Sequence, residues 1–407
     1  MATELGCRSC HHSPLQVVLS LGKMPLANAL LTADQLAEPE PAFPLDLAWC
    51  PRCTLVQITE TVPPETLFRD YVYFSSYSDT MVRHAGELAT RLTRERRLGP
   101  ASLVLEIASN DGYLLQHYVA AGVPVLGIEP ARNVAQVATE RGIRTVCEFF
   151  GERLAGDLRA RYGPADVVHA HNVLAHVADL ESVVRGIGLI LRDDGVAVIE
   201  VPYLRDLVER CEFDTIYHEH LCYFSVTALD RLFRRHRLVL SEVERIPIHG
   251  GSLRLFVVRK GENGDSVRRL LAEEAAWGVD SETPVLKFAR RVEQLKVSLL
   301  EMLESLRRSG KAIAAYGAAA KGSTLLNYLG IGRDVLDFVA DRSPYKQGRY
   351  MPGVHVPIVP PSRLVEAMPD YVLLLTWNIA HEVLAQQAEY RRLGGRFILP
   401  VPSPQVV

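Results

Sequence analysis

Residues 217–225 read YHEHLCYFS, which sets Tyr217, His218, Glu219 and His220 side by side in a chain that is 48% hydrophobic. Three uses suit such a cluster: a metal pair of the H-x-H kind, an acid–base centre, or polar groups at the end of a strand satisfied by backbone. The spacing is not the helical H-E-x-x-H arrangement in which two imidazoles share one face. Acid–base work matches the residue types. An imidazole titrates near neutral pH, and a neighbouring carboxylate such as Glu219 can orient it and raise its basicity. A phenol such as Tyr217 can donate to an oxyanion. A base together with an oxyanion donor is what removal of a proton beside a carbonyl requires.

Four of the seven cysteines form two C-x-x-C pairs, Cys7 with Cys10 in CRSC and Cys50 with Cys53 in CPRC. Each such turn aims two thiolates at one ion, and two turns complete a tetrahedral zinc shell. Four buried thiols or one redox pair is the blander alternative. The gap between the pairs exceeds that of common zinc ribbons, so extra structure is expected within it, with LQVVLSLGKMPLANALL as the candidate stretch. His11 and His12 are substitute ligands, but four cysteines already fill the shell. A closed shell implies a structural ion that holds together a segment too small for its own core.

The elements that must position these groups show as periodicity. From about residue 100, strand-like and helix-like pieces alternate: LVLEIASNDGYLLQHYVAAG, then VPVLGIEPARNVAQVATERG, then the strands in ADVVHAHNVLAHV and GVAVIEVPY. This βαβ alternation predicts an α/β fold with an open parallel sheet, whose ligands bind beyond the carboxyl ends of its strands. The first turn, Glu106 to Gly112, lacks the G-x-G-x-x-G of a dinucleotide site. An acid ending the first strand, a glycine in the turn and a second acid, Glu129, ending the next strand look instead like the S-adenosylmethionine (SAM) site of class I methyltransferases. Glu129 is placed to accept two ribose hydroxyls. The alternatives are a helix N-cap for Asn110 or Asp111 and a surface acid for Glu129. The YHEH loop follows GVAVIEVPY by some 14 residues, which predicts a place near the cofactor face.

Residues 281–310 carry Val285, Phe288, Val292, Leu295, Leu299 and Leu303 at three- and four-residue steps, a long amphipathic helix packed on a domain. Beyond it KAIAAYGAAAKGSTLLNYLG, VLDFVADR and YVLLLTW read as further strands and a helix. Gly317-AAAK-Gly322-Ser323 mimics a P-loop but has no lysine after its second glycine, which argues against a Walker site. Small residues at a helix N-terminus still let backbone N–H groups approach phosphates.

The chain has 407 residues, a net charge of −3 and a charged fraction of 23%. That length suits two or three domains. The acidic balance excludes a global positive field for nucleic acid. No apolar run approaches the roughly 18 residues of a membrane span. The start, MATELGCRSC, has no basic stretch followed by an apolar one, so a cytoplasmic protein without a secretory signal is expected, where paired cysteines mean metal rather than disulfide.

The two C-x-x-C pairs, YVYFSSYSDT, LEIASNDGYLL, LGIEPARNVA, HNVLAHV, YHEHLCYFS, HGGSLR and YGAAAKGSTLLNYL occur together in this order. The chain thereby resembles the SAM-dependent C-methyltransferases that modify nucleotide-linked deoxysugars for antibiotics, such as the C-3 methyltransferase of tetronitrose biosynthesis. The resemblance covers nearly the whole chain. It implies a zinc-binding domain at 1–68, a SAM-binding class I methyltransferase domain at 69–280 and a linker helix with a Rossmann-like domain at 281–407. The implied substrate is a TDP-linked 4-keto-deoxysugar lying between the last two domains, methylated at C-3; C-5 methylation, or O- or N-methylation of a sugar nucleotide, is the alternative. His220 resembles the base of that family and Glu219 its acidic neighbour. Tyr217 matches a tyrosine near the sugar, His176 a second active-site histidine, and Tyr73 (or Tyr71) an upstream tyrosine. Glu106, Ala108, Asn110, Gly112, Tyr113, Glu129, Pro130 and Asn172 fall on the cofactor side. Tyr316, Gly317, Lys321, Lys346 and Arg349 fall on the nucleotide diphosphate side, with merely solvated cations as the alternative for the basic ones. A monomer or weak dimer is expected. One departure stands out: Ala108 occupies a position where many relatives have glycine, so the turn is expected to pass the cofactor differently, with a small effect on SAM affinity.

Overall fold

The computed structural model describes residues 6–68, 74–248 and 250–407. Seventeen strands follow one another along it. The first three are β1 (Gln16–Pro25), β2 (Ala42–Trp49) and β3 (Val56–Ile58). Next come β4 (Val104–Ile107), β5 (Val125–Ile128), β6 (Thr145–Val146), β7 (Ala165–His171) and β8 (Leu191–Pro202). A two-residue strand, β9 (Cys222–Tyr223), precedes β10 (Val239–Ile246) and β11 (Ser252–Val258). The last six are β12 (Ile313–Tyr316), β13 (Val339–Ala340), β14 (Ile358–Val359), β15 (Tyr371–Leu374), β16 (Arg396–Leu399) and β17 (Gln405–Val406).

The middle sheet has the order β10-β11-β8-β7-β4-β5-β6. Its strands from β4 to β8 are parallel, while β11 runs antiparallel to both β8 and β10. Helices cover both faces, which is why VLEI of β4 is buried at every position instead of alternating. Winding proceeds outward from β4 to β6 and then, from β7, in the opposite direction. The crevice between the carboxyl ends of β4 and β7 is therefore the switch point where a ligand belongs. The C-terminal sheet, β14-β13-β12-β15-β16-β17, repeats the plan with its own switch point between β12 and β15. The α/β class, a strand that carries Glu106 near its end and a strand that stops just before Glu129 agree with the sequence.

The N-terminal strands form an antiparallel meander, and LQVVLSLGKMP is the first strand of it. Its fourth member comes from elsewhere in the chain. β9, the tail of the YHEHLCYFS stretch, pairs antiparallel with β3, Val56 opposite Tyr223 and Gln57 opposite Cys222. The predicted amphipathic helix spans Thr283–Arg308 with Pro284 in its first turn, where a missing N–H costs nothing. All six apolar positions predicted for it are buried. It does more than pack on one domain. Arg291 donates to the carbonyls of Val208 and Glu209, Lys296 to that of Tyr328, and one apolar core runs from Leu19 through Ile199 and Phe288 to Leu325. Among the described residues no helix is long and apolar enough to cross a membrane.

Candidate active site and metal centre

The two cysteine turns are built alike. The N–H of His11 donates to the carbonyl of Cys7, and that of Thr54 to Cys50, each at 2.9 Å. His11 and Thr54 both adopt positive φ, 57° and 64°, which closes the two knuckles. All four Sγ atoms lie within 4.8 Å of one another, with Cys7–Cys53 at 3.4 Å and Cys10–Cys50 at 3.6 Å. Tetrahedral Zn–S bonds of about 2.3 Å place sulfurs about 3.8 Å apart, so the residues fit that ion. Neither His11 nor His12 is needed: His11 Nε2 donates to Glu181, out on the surface.

At the cofactor turn, Glu106 is buried in β4 and one of its carboxylate oxygens, Oε2, meets no hydrogen-bond partner. Burial, reinforced by Glu129, Asp111 and Glu200, holds its carboxyl well above the usual range. Glu129 accepts from the N–H groups of Asn110 (2.9 Å) and Ala131 (2.8 Å), keeping a second lone pair on each oxygen for a ligand. Asn110 in turn accepts from Ser75 N–H, and Asp111 pairs with Arg141 and accepts from the Ser76 hydroxyl. A Cβ on Gly112 would lie 2.7 Å from Ile143, so that glycine's φ of +81° keeps the turn tight. An orphaned buried carboxylate oxygen in a glycine turn fits a cofactor carrying donors and positive charge. Tyr113 is buried just after the turn, Pro130 is half-buried beside Glu129, and Asn172 ends β7 at φ +55° with its N–H on the Glu200 carbonyl.

Ala108 adopts φ +52°, the conformation a glycine would supply freely. A left-handed alanine costs about 1–2 kcal/mol, offset in part by the extra chain entropy a glycine loses on folding. Ala108→Gly is therefore expected to raise stability by up to about 1 kcal/mol, read as an increase in Tm, with little change in SAM affinity.

The YHEH residues diverge. His220 Nδ1–H donates to the Thr215 carbonyl at 2.9 Å, which leaves Nε2 as an acceptor for the Tyr217 hydroxyl, also at 2.9 Å. His176, in the 3-10 turn Leu174–His176, stands edge-on to His220 with ring centroids 4.8 Å apart. Burial pushes His176 down to about 4, so it is a neutral ring at physiological pH. His218 points the other way, donating Nε2–H to the Pro44 carbonyl and lying against Phe43. The H-x-H pair thus does not converge on an ion. Glu219 does not orient His220 through its carboxylate; that carboxylate accepts from Asn28 Nδ2 at 2.6 Å, and the Thr215 carbonyl fixes the imidazole. Tyr71 and Tyr73 lie outside the described residues.

In the C-terminal domain Tyr316 is buried in a core with Phe338 and Val372. Gly317, at φ +98°, would strike Thr376 with any side chain. The turn's Ala318 N–H donates to Asp341 at 2.7 Å, and Lys346 Nζ donates to the Ala318 carbonyl at 2.7 Å, so Lys346 braces the turn. Lys321 lies over the Trp377 ring, 4.6 Å from its centroid, and Arg349 is exposed. Ser323 donates to the Ala27 carbonyl.

Several groups at the site carried no sequence signal. Trp377 Nε1–H donates to Asp214 Oδ2 at 2.7 Å, joining the C-terminal turn to the segment before the YHEH cluster. Burial pushes Asp214 up to about 6 and Glu212 up to about 8, Lys321 opposing both shifts. Behind Asn172, Glu200 accepts from Arg254 at 2.7 Å and from His84 at 3.0 Å. Asn28 comes from the N-terminal meander.

Three family models match in chain order: the "Putative zinc binding domain" at residues 7–68, the methyltransferase domain at 81–242 and the C-methyltransferase C-terminal domain at 247–402. The C-methyltransferase NovU of Streptomyces niveus is 36% identical over 404 residues, 98% of this chain and 96% of that protein. Among solved structures, the magnesium protoporphyrin IX methyltransferase (ChlM) from Synechocystis PCC 6803 with bound SAM shares 14% identity. It covers 47% of this chain and 86% of its own, with a TM-score of 0.35. A SAM-dependent methyltransferase from Clostridium acetobutylicum ATCC 824 shares 11% identity over 44% of this chain and 92% of its own, with a TM-score of 0.36. With SAM as cofactor, zinc on four N-terminal cysteines, and a relative matched over nearly the full length of both, the chain belongs to the SAM-dependent C-methyltransferase family.

Proposed function

We propose that the enzyme methylates a ring carbon of a TDP-linked 4-keto-deoxysugar, C-3 first, in antibiotic deoxysugar biosynthesis, through base-assisted enolate formation. The observation that carries this reading is the tautomer of His220. With Nδ1–H committed to the Thr215 carbonyl, Nε2 holds the lone pair that accepts from the Tyr217 hydroxyl. Tyr217 has one hydroxyl proton. Given to the 4-keto oxygen of a bound sugar, it leaves Nε2 bare to take the proton from the adjacent carbon and stabilises the enolate oxygen. Glu219 contributes negative charge beside the imidazolium that forms. His176, neutral, stands against the His220 ring, and Tyr73 keeps the role implied by the family pattern.

Glu106, Ala108, Asn110, Gly112, Tyr113, Glu129, Pro130 and Asn172 are the residues that would hold SAM, which supplies an electrophilic methyl group when bound. Holding both partners in one crevice provides much of the acceleration. Tyr316, Gly317, Lys321, Lys346 and Arg349 would face the nucleotide diphosphate, Lys346 by bracing the turn. The division into 1–68, 69–280 and 281–407, a cytoplasmic site of action and a monomer or weak dimer belong to the same reading.

Incubation of the enzyme with TDP-4-keto-deoxysugars in D2O without SAM tests it. Deuterium is expected at C-3. Entry at C-5 would move the methylation site, and methyl transfer from labelled SAM to a sugar oxygen with no carbon-bound exchange would overturn the enolate.

A further inference from the structure

Asn28 belongs to the zinc-binding domain, yet its side chain reaches the YHEH loop of the methyltransferase domain. It sits in the turn after β1, closed by the Ala29 N–H on the Leu26 carbonyl and the Leu30 N–H on that of Asn28. Both flanks of this turn are tied to the C-terminal domain. The Ser323 hydroxyl donates to the Ala27 carbonyl at 2.8 Å, and Leu31 exchanges both backbone hydrogen bonds with Tyr350 at 3.0 and 2.9 Å. Between these ties, Asn28 Nδ2–H donates to Glu219 Oε1 at 2.6 Å.

Docking of the domain does not need this bond. The β3–β9 ladder, Ser323–Ala27 and Leu31–Tyr350 already join the segments. A carboxylate that is 5% exposed is also a costly anchor, because burial disfavours its charge. What the amide does is stabilise that charge. We infer that Asn28 is a positioning residue for C-methylation: from the zinc-binding domain it holds the Glu219 carboxylate ionised and in place beside the base. This rests on the reading that puts Glu219 in the reaction centre.

Among the described residues, the Glu219 carboxylate accepts from Asn28 and the His176 ring has a hydrogen bond at the Glu219 backbone, with Tyr217, His218 and His220 as the titratable neighbours on its own loop. Burial lifts the Glu219 carboxyl to about 7, and the Asn28 amide opposes that rise. Removing the donor therefore raises the titration further, so the active carboxylate appears at higher pH.

The test uses the full-length zinc-loaded enzyme. Infrared difference spectra against Glu219→Gln isolate the Glu219 carboxyl and follow its titration without turnover. Asn28→Ala is expected to move the midpoint up by roughly one pH unit. The rising limb of kcat against pH should move with it, giving a several-fold lower kcat at neutral pH that recovers as pH rises, with KM nearly unchanged. Asn28→Ser, which keeps a short donor, should fall between the two and guards against a folding defect in the alanine variant. An unchanged midpoint in both variants overturns the inference while leaving the enolate reading intact. A shifted midpoint with an unmoved kcat limb removes Glu219 from the reaction centre, and Asn28 with it.

Discussion

His220→Asn is expected to lower kcat for methyl transfer by at least about 100-fold, and by as much as about 10⁴-fold, the range associated with a positioned general base. Asparagine suits the purpose because it separates geometry from proton chemistry. Its amide can still donate to the Thr215 carbonyl that now holds Nδ1–H at 2.9 Å, so the loop has a reason to keep its shape. It has no nitrogen that accepts a proton near neutral pH. SAM affinity should stay close to wild type, because the cofactor turn is held by Glu129, Ser75 and Arg141 rather than by His220. Calorimetric titration of SAM, a thermal melt and single-turnover methyl transfer measure the three quantities separately. Deuterium exchange into the sugar should vanish with methylation, since both need the same proton removed. Wild-type turnover in the variant would take His220 out of the mechanism. Exchange preserved with transfer lost would place the defect after enolisation and reassign the base.

Local physics makes much of this site readable in the sequence. A run such as LVLEI followed by a polar glycine turn dictates a buried strand over Leu103 to Ile107, and β4 runs Val104–Ile107. The three- and four-residue spacing of Val285 to Leu303 placed the long helix to within two residues at each end. Two C-x-x-C turns imply converging thiolates, and the four sulfurs converge. Contacts between residues far apart in the chain are the part that was hidden. Asn28 and Glu219 are 191 residues apart, Trp377 and Asp214 are 163 apart, and no periodicity encodes either pairing. The direction of a loop side chain was equally invisible. His218 and His220 differ by two positions, and only the pairing of β9 with β3 decides that one faces Pro44 and the other Tyr217. Ala108 shows a third kind of limit: tertiary packing around the turn imposes a φ that the residue's own preference opposes.

That same pairing gives the zinc ion a reach beyond its own domain, and Cys50→Ser measures it. Replacing one thiolate of a four-sulfur shell removes a strong ligand from a closed site, and the free energy of metal binding at such sites is folding free energy. Zinc content is expected to fall well below one ion per chain, with a lower Tm and lower yield of soluble protein. The second knuckle, Cys50 to Thr54, leads straight into β3, where Val56 and Gln57 carry β9. β9 begins two residues after His220, and the preceding residue, Leu221, donates to the Ala175 carbonyl beside His176 and accepts from Ile58 N–H. Loosening the knuckle therefore frees the strand that aligns both histidines. Whatever Cys50→Ser protein stays soluble should still bind SAM through the middle sheet, whose turn has no share in the knuckle. Its sugar deuterium exchange should drop together with methyl transfer. Chelation of zinc from the wild type should reproduce the pattern, and readdition should restore it. Zinc that exchanged freely in a fully folded enzyme, with only turnover lost, would show an open catalytic ion in place of a closed structural one.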